Sequence, residues 1–308
     1  MTRLLVGTGK GLYEVAGGGS EPRPEGGALA DRAVVALAED GGTLWAVADG
    51  AAVLTRQGSG PWAQVAAAAP YELTCVLPTS FGLLTGAEEA NLLRLEDGSL
   101  RRLESFEQVE GHERWHTPWG GPPAVRSLTQ DLAGRLHVNV HVGGIPRSTD
   151  GGESWTPTVD IDADVHQVLA HPSRRDLVVA ATAVGLAVTG DGGDAWRFER
   201  AGLHAAYCRA VAFCDGVVLV SASAGPSGRR AAVYRGQLDD AVELRRCTAG
   251  LPDWFDANID TGCLAAAGAT AAFGTADGSV YLSLDAGASW ERVAAELPPV
   301  RSMLLSAA

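Results

Sequence analysis

One eight-residue pattern, Ser/Thr-x-Asp-x-Gly-x-x-Trp, recurs along the chain and limits what it can fold into. Full copies run Ser148–Trp155, Thr189–Trp196 and Ser283–Trp290. A degenerate copy, Thr55–Trp62, has Gln57 in place of the Asp and Ser59 in place of the Gly. The closing tryptophans stand at 62, 155, 196 and 290, separated by 93, 41 and 94 residues. One gap is a single period and two are double periods of about 41–47 residues, the length of a four-stranded propeller blade.

The strand pattern between the copies agrees with that period. Inner-strand segments begin at Ala33, Leu73, Val125, Val165, Cys208 and Thr261. Each is followed by an apolar second strand: Thr43–Ala48, Gly82–Gly86, Leu136–Val142, Leu177–Thr182, Val217–Ala222 and Thr270–Thr275. The C-terminal run from Val300 to Leu305 is one more inner strand without partners, and Thr2–Gly7 and Gly11–Val15 are outer strands lacking an inner one. Joining the two termini removes exposed sheet edges and makes a seventh blade. The expected fold is all-β, a seven-bladed β-propeller closed by its N- and C-terminal strands, with six blades as the alternative. One domain, 1–308, then comprises blades at about 33–67, 71–105, 124–160, 164–202, 207–252 and 258–299, and a seventh from 300–308 with 1–16. Gly17–Gly27 is expected to be a flexible connection by composition. Gly7–Gly11 lacks the spacing of a phosphate-binding loop and is expected to be a hairpin turn.

Charge and cysteine content narrow the partners. The net charge is −13, which repels nucleic-acid phosphates and anionic lipid. No run of about 18 apolar residues is present, so no membrane partner is expected. The five cysteines are odd in number and form no C-x-x-C pair, and the apolar stretch at the start is too short for a signal peptide. A reducing cytoplasm is the expected location.

Candidate chemistry converges on the channel mouth. Aligning the inner strands puts Val35, Thr74, Arg126, His166, Arg209, Gly262 and Arg301 at one level. Three arginines and a histidine in an acidic protein point to a small anionic or polar molecule, offset by nearby acids such as Asp164, Asp256 and Asp260. His141, Tyr207, Arg230, Trp254 and Asp256 fall on rim loops, and His116 and Trp119 lie in a Trp- and His-rich stretch from Gly111 to Pro123. Proton transfer is assigned to His166, aided by His141 or Tyr207, since imidazole titrates near neutrality. Binding is assigned to Arg126, Arg209, Arg301, Arg230, His116, Trp119, Trp254 and Asp256. No metal and no cofactor is expected: His137 and His141 lie roughly 13 Å apart along a strand, and His112 and His116 would share an ion only on a helix, which Pro118 opposes.

The repeated octapeptide resembles the Asp-box, or BNR repeat, of the sialidase-like propellers. That resemblance implies that the Asp carboxylate latches the turn between third and fourth strands, opposite the face used for catalysis. Relatives include sialidases, other glycosidase-like propellers, and photosystem II assembly-factor propellers that bind proteins. By the same resemblance, Arg126, Arg209 and Arg301 match a carboxylate-gripping arginine triad and Tyr207 the phenol. The match to true sialidases breaks at the Arg-Ile-Pro signature, because Gly144 precedes Ile145-Pro146 and Arg147 follows it. Three readings follow: a hydrolase or lyase at the channel mouth, a non-catalytic ligand-binding propeller, and an assembly scaffold that binds a protein across the rim through Trp115, Trp119, Trp254 and Phe255. A ring that buries its own edges is expected to be a monomer.

Overall fold

A computed structural model describes residues 2–16, 20–238 and 242–307. Seven four-stranded antiparallel sheets stand in a ring, so the seven-bladed expectation holds and the six-bladed alternative does not. The inner strands are Val34–Asp40, Leu73–Thr79, Val125–Gln130, Val165–Ala170, Tyr207–Cys214, Leu264–Ala267 and Val300–Ala307. The last of these pairs antiparallel with Thr2–Thr8, which pairs in turn with Gly11–Val15. The two ends of the chain therefore share one sheet and lock the ring. Among the described residues no helix is long and apolar enough to cross a membrane.

The segment read as a flexible connection is only partly one. Gly17–Gly19 lie outside the described residues, but Arg23–Glu25 forms the outer strand of the seventh blade, paired with Leu12–Glu14. Pro24 suits an edge strand, where no N–H is needed. What fixes the strand is Glu25, whose carboxylate lies 2.5 Å from Arg3 Nη2 and 2.5 Å from the buried Arg56 Nη1 of the first blade. Two strands are also shorter than expected by two or more residues at one end. The sixth inner strand starts at Leu264 rather than Thr261, because Gly262 turns with φ +76° and the Cys263 N–H closes onto the Asp260 carbonyl. The second strand of the third blade stops at Val140; His141 makes a single bridge to Asp164, and Val142 has φ 58°.

All three full octapeptides lie on turns between third and fourth strands, as between Pro146–Ser148 and Thr156–Pro157. In that turn Asp150 Oδ1 accepts the Ser148 hydroxyl at 2.8 Å and the Ser154 N–H at 3.0 Å, while Ser148 Oγ accepts the Gly152 N–H at 2.8 Å. Gly152 sits at φ 94°, which a side chain resists. Asp191 and Asp285 repeat the latch. Trp155 is buried edge-on against Phe106 of the preceding blade, with centroids 5.0 Å apart. The degenerate copy keeps the buried Trp62, stacked under Arg56, without a carboxylate latch.

A second repeated device lies at the entrance of the inner strands. Register shifts mark a bulge at Val34/Ala36, Leu73/Cys75, Val125/Ser127, Val165/Gln167 and Cys208/Val211, and again opposite Gly7/Thr8. A bulge leaves one residue out of the ladder and re-aims its side chain. The carbonyl beside it is taken by a side chain of the neighbouring blade. Asn139 Nδ2 donates to Val165 O at 2.7 Å, Ser302 Oγ to Val34 O at 2.9 Å, and Thr74 Oγ1 to Val125 O. Glycines on second strands make room for this approach: a side chain on Gly86 or Gly274 would collide with Val125 or Val300 of the next blade.

Candidate functional site at the channel mouth

Because the bulges fall at the same level in successive blades, the residues they release meet around the axis. A cavity of about 410 Å³ opens there. It is lined by Val35, Thr74, Arg126, Arg209, Gly262 and Arg301, six of the seven aligned positions, together with Glu72, Gln167 and Asp260. The seventh, His166, does not line it; Gln167 takes that place and reaches across to Val211 and Gly262.

The three arginines are not equivalent. Arg209 is held by Asp260, with Nη2 2.5 Å and Nε 2.7 Å from Oδ1, and lies 3.4 Å from the Tyr207 hydroxyl. Burial opposes the Arg209 charge, but Asp260 and the Tyr207 phenol outweigh it and raise its pKa. Arg301 is exposed. Arg126 is half-buried, and among the described residues no carboxylate oxygen comes within ion-pairing distance of it. Burial lowers its pKa, repulsion from Arg209 adds to that, and Glu88, Asp164 and Asp260 only partly offset it. Guanidinium keeps its charge at neutral pH. The mouth therefore holds a cation without a direct counterion.

Beside the cavity, five candidate residues form one row across the third, fourth and fifth blades. Trp119, His141, His166 and Tyr207 follow one another with centroid separations of 5.2, 5.7 and 4.8 Å, and the Arg209 guanidinium ends the row 5.9 Å from the Tyr207 ring. Trp119 is 67% exposed and covers His141, whereas His141 and His166 are buried. His166 Nδ1 lies 2.5 Å from the Cys208 carbonyl, the fourth blade's version of the link that spans neighbouring blades. Asp164, just before the fourth inner strand, closes the group: its Oδ1 is 3.0 Å from His141 Nε2 and 3.1 Å from His166 Nε2. Both imidazoles approach that oxygen off the line of a hydrogen bond, and His166 Nε2 and Asp164 Oδ1 have no hydrogen-bond partner. Burial would raise the Asp164 pKa, but the two imidazoles hold it well below the usual carboxylate range. Burial lowers that of His141, against the pull of Asp164.

The remaining candidates lie elsewhere. Arg230 and Arg246 sandwich Trp254, with guanidinium carbons 4.5 and 4.4 Å from its ring, and neither Arg230, Trp254 nor the exposed Asp256 lines the cavity. His116 is exposed and bonded to its own loop at the Arg114 carbonyl. Trp115 is in the core against Phe106. Among the acids anticipated near the arginines, Asp260 pairs with Arg209, while Asp164 serves the histidines instead. In the sequence Asp164 is legible only as an acid before an inner strand; histidine spacing within one strand or loop carries no signal of a group assembled across blades. A larger hollow of about 590 Å³ lies against the turn at Gly287 and is lined by Arg235, Arg245 and Glu243. It holds no histidine, and the convergence of bulged residues singles out the channel mouth.

No protein-family model matches the chain, and no curated protein does. Solved structures show the fold. An ancestral GH74 enzyme superposes with a TM-score of 0.62 at 15% identity over 85% of this chain, which spans 38% of that enzyme's length. A catalytically inactive variant of virginiamycin B lyase from Staphylococcus aureus, crystallised with quinupristin, gives 0.58 at 11% identity, covering 90% of this chain and 85% of that one. The nidogen/laminin complex gives 0.55 at 11% identity, covering 98% and 97%. The chain is thus similar to β-propellers that include enzymes and a protein found in a complex with another.

Proposed function

We propose that the chain is a glycosidase-like, Asp-box propeller enzyme, a hydrolase or lyase acting on a small anionic or polar substrate at the channel mouth. The observation that carries this is Arg126: a half-buried guanidinium facing the axial cavity, beside Arg209 and Arg301, with no carboxylate in contact among the described residues. In an acidic protein such a charge is unfavourable until an anion enters. Arg126 and Arg301 bind the anionic group, and Arg209, fixed by Asp260, shapes the wall. The reacting centre is the adjoining row, in which the half-buried Tyr207 meets the substrate and the buried His141, under Trp119, backs it. His166 has no exposed surface, so its role is to hold Asp164 and the row in place rather than to touch substrate. The three latched turns support the Asp-box assignment, and five free, buried cysteines fit a reducing cytoplasm. The ring acts as one domain and a monomer, with no nucleic-acid partner.

Turnover of a panel of small carboxylate- and phosphate-bearing substrates tests this. Arg126→Ala raises KM, while Tyr207→Phe lowers kcat with little change in KM. Turnover that both substitutions leave unaltered would end the assignment. A second reading, a protein bound across the rim, is favoured by the 67% exposure of Trp119; it predicts that Trp119→Ala abolishes partner binding while anion binding persists.

A further inference from the structure

His141, Asp164 and His166 come from two blades and bring one ligand atom each to within 4.8 Å of one another. The orientation of His166 follows from its neighbours. A carbonyl only accepts, so the ring nitrogen 2.5 Å from Cys208 O is the one that carries hydrogen. Its Nε2 faces Asp164 Oδ1 at 3.1 Å, and among the described residues neither atom has a hydrogen-bond partner. His166 is fully buried. His141 Nε2 meets the same oxygen at 3.0 Å from the other side, again off the hydrogen-bond line. Three potential ligand atoms thus converge from two blades, and two of them are buried without a hydrogen-bond partner among the described residues.

We infer that His141 Nε2, Asp164 Oδ1 and His166 Nε2 form a binding site for a divalent first-row transition metal of the zinc type. Imidazole and carboxylate ligands bind such an ion at about 2.0–2.2 Å, which puts neighbouring donors of a tetrahedral site roughly 3.4 Å apart. The 3.0 and 3.1 Å separations open by a few tenths of an ångström to reach that spacing, and the two imidazole nitrogens, within 4.8 Å of each other, adjust to match. The Nδ1–H of His166 on a backbone carbonyl is the outer contact that orients metal-bound imidazoles. Three protein ligands leave a fourth position, and Asp164, the partly exposed member, marks where it meets solvent. Arg126 is the cation in electrostatic reach of His141 and Asp164, and it opposes a bare divalent ion. An anionic fourth ligand, such as hydroxide or a substrate carboxylate, removes that opposition. The use of the ion in turnover rests on the proposed channel-mouth reading; its binding does not.

The test uses the full, untagged chain, stripped with a chelator and titrated with Zn²⁺ by calorimetry and with Co²⁺ by visible absorption. One equivalent binds, and cobalt gives the intense bands of a four-coordinate site. Asp164→Asn weakens binding by more than the roughly 10–100-fold that loss of an outer partner costs. His141→Gln does the same and serves as the independent check if the first variant unfolds. Absence of saturable one-to-one binding, or equal affinity in wild type and a folded variant, overturns the inference. Arg126→Ala separates the two proposals: it keeps or tightens metal binding while anion binding is lost. Anion binding without metal binding would leave the channel-mouth reading standing and this inference refuted.

Discussion

Substituting Glu25 removes the charge that closes the ring on its outer side. Glu25 ties the last strand of the seventh blade to Arg56 of the first at 2.5 Å, and Arg56 is 4% exposed with Nε and Nη2 buried and unpartnered. Glu25→Gln keeps the shape and leaves the Arg56 charge buried beside Trp62 without a counterion. Breaking a buried pair from one side typically costs 3–5 kcal/mol. Because the Glu25 side chain is 17% exposed, water recovers part of that, and the expected loss is about 2–3 kcal/mol. For a chain of this size that corresponds to roughly 3–5 °C in Tm. Arg3 adds little to the loss, since it retains Glu14 at 3.0 Å. The double variant Glu25→Gln/Arg56→Met removes the stranded charge and regains most of the loss. Scanning calorimetry or urea unfolding of the three proteins reads this. A single variant within about 1 °C of wild type, or a double variant no better than the single, would refute the reasoning about the buried charge.

Two further predictions concern the repeated devices. Ser302→Ala takes the donor from the Val34 carbonyl between the seventh and first blades and lowers stability by about 1 kcal/mol in urea unfolding. The turn carboxylates set an acid limit: Ser154 and Ser289 hold Asp150 and Asp285 down at about 2, and Thr189 lowers Asp191. Their unfolded values are higher, so they stabilise the fold above about pH 4, and that contribution is lost as the pH falls towards 2. Urea midpoints measured from pH 6 to pH 2 show the decline, and Asp150→Asn with Asp285→Asn flattens it.

The ring was legible because its signals are local and repeated. Asp150, Asp191 and Asp285 each act within five residues, so a linear pattern reports them in full. The aligned level of Arg126, Arg209 and Arg301 was visible too, because a bulge at a fixed place in each inner strand keeps sequence alignment and spatial alignment in step. Three things were not visible. Arg23–Glu25 is a strand through contacts with Arg3 and Arg56, and no local propensity announces it. His166 shares its level with the arginines, yet the carbonyl of Cys208 draws it out of the cavity and between blades. Arg230 and Trp254, placed at the rim by loop position, satisfy each other instead of the cavity.

The proposed activity requires that the mouth accept a small anion through Arg126. Thermal unfolding of the wild type and of Arg126→Ala, each titrated with inorganic phosphate, sulfate and small dicarboxylates, measures this directly. A ligand present at 100 times its Kd stabilises the folded state by about 2.7 kcal/mol, or roughly 5 °C here. The predicted result is a saturable rise of that order for at least one anion in the wild type and none in Arg126→Ala. An equal rise in both proteins, or no rise in either, would contradict it.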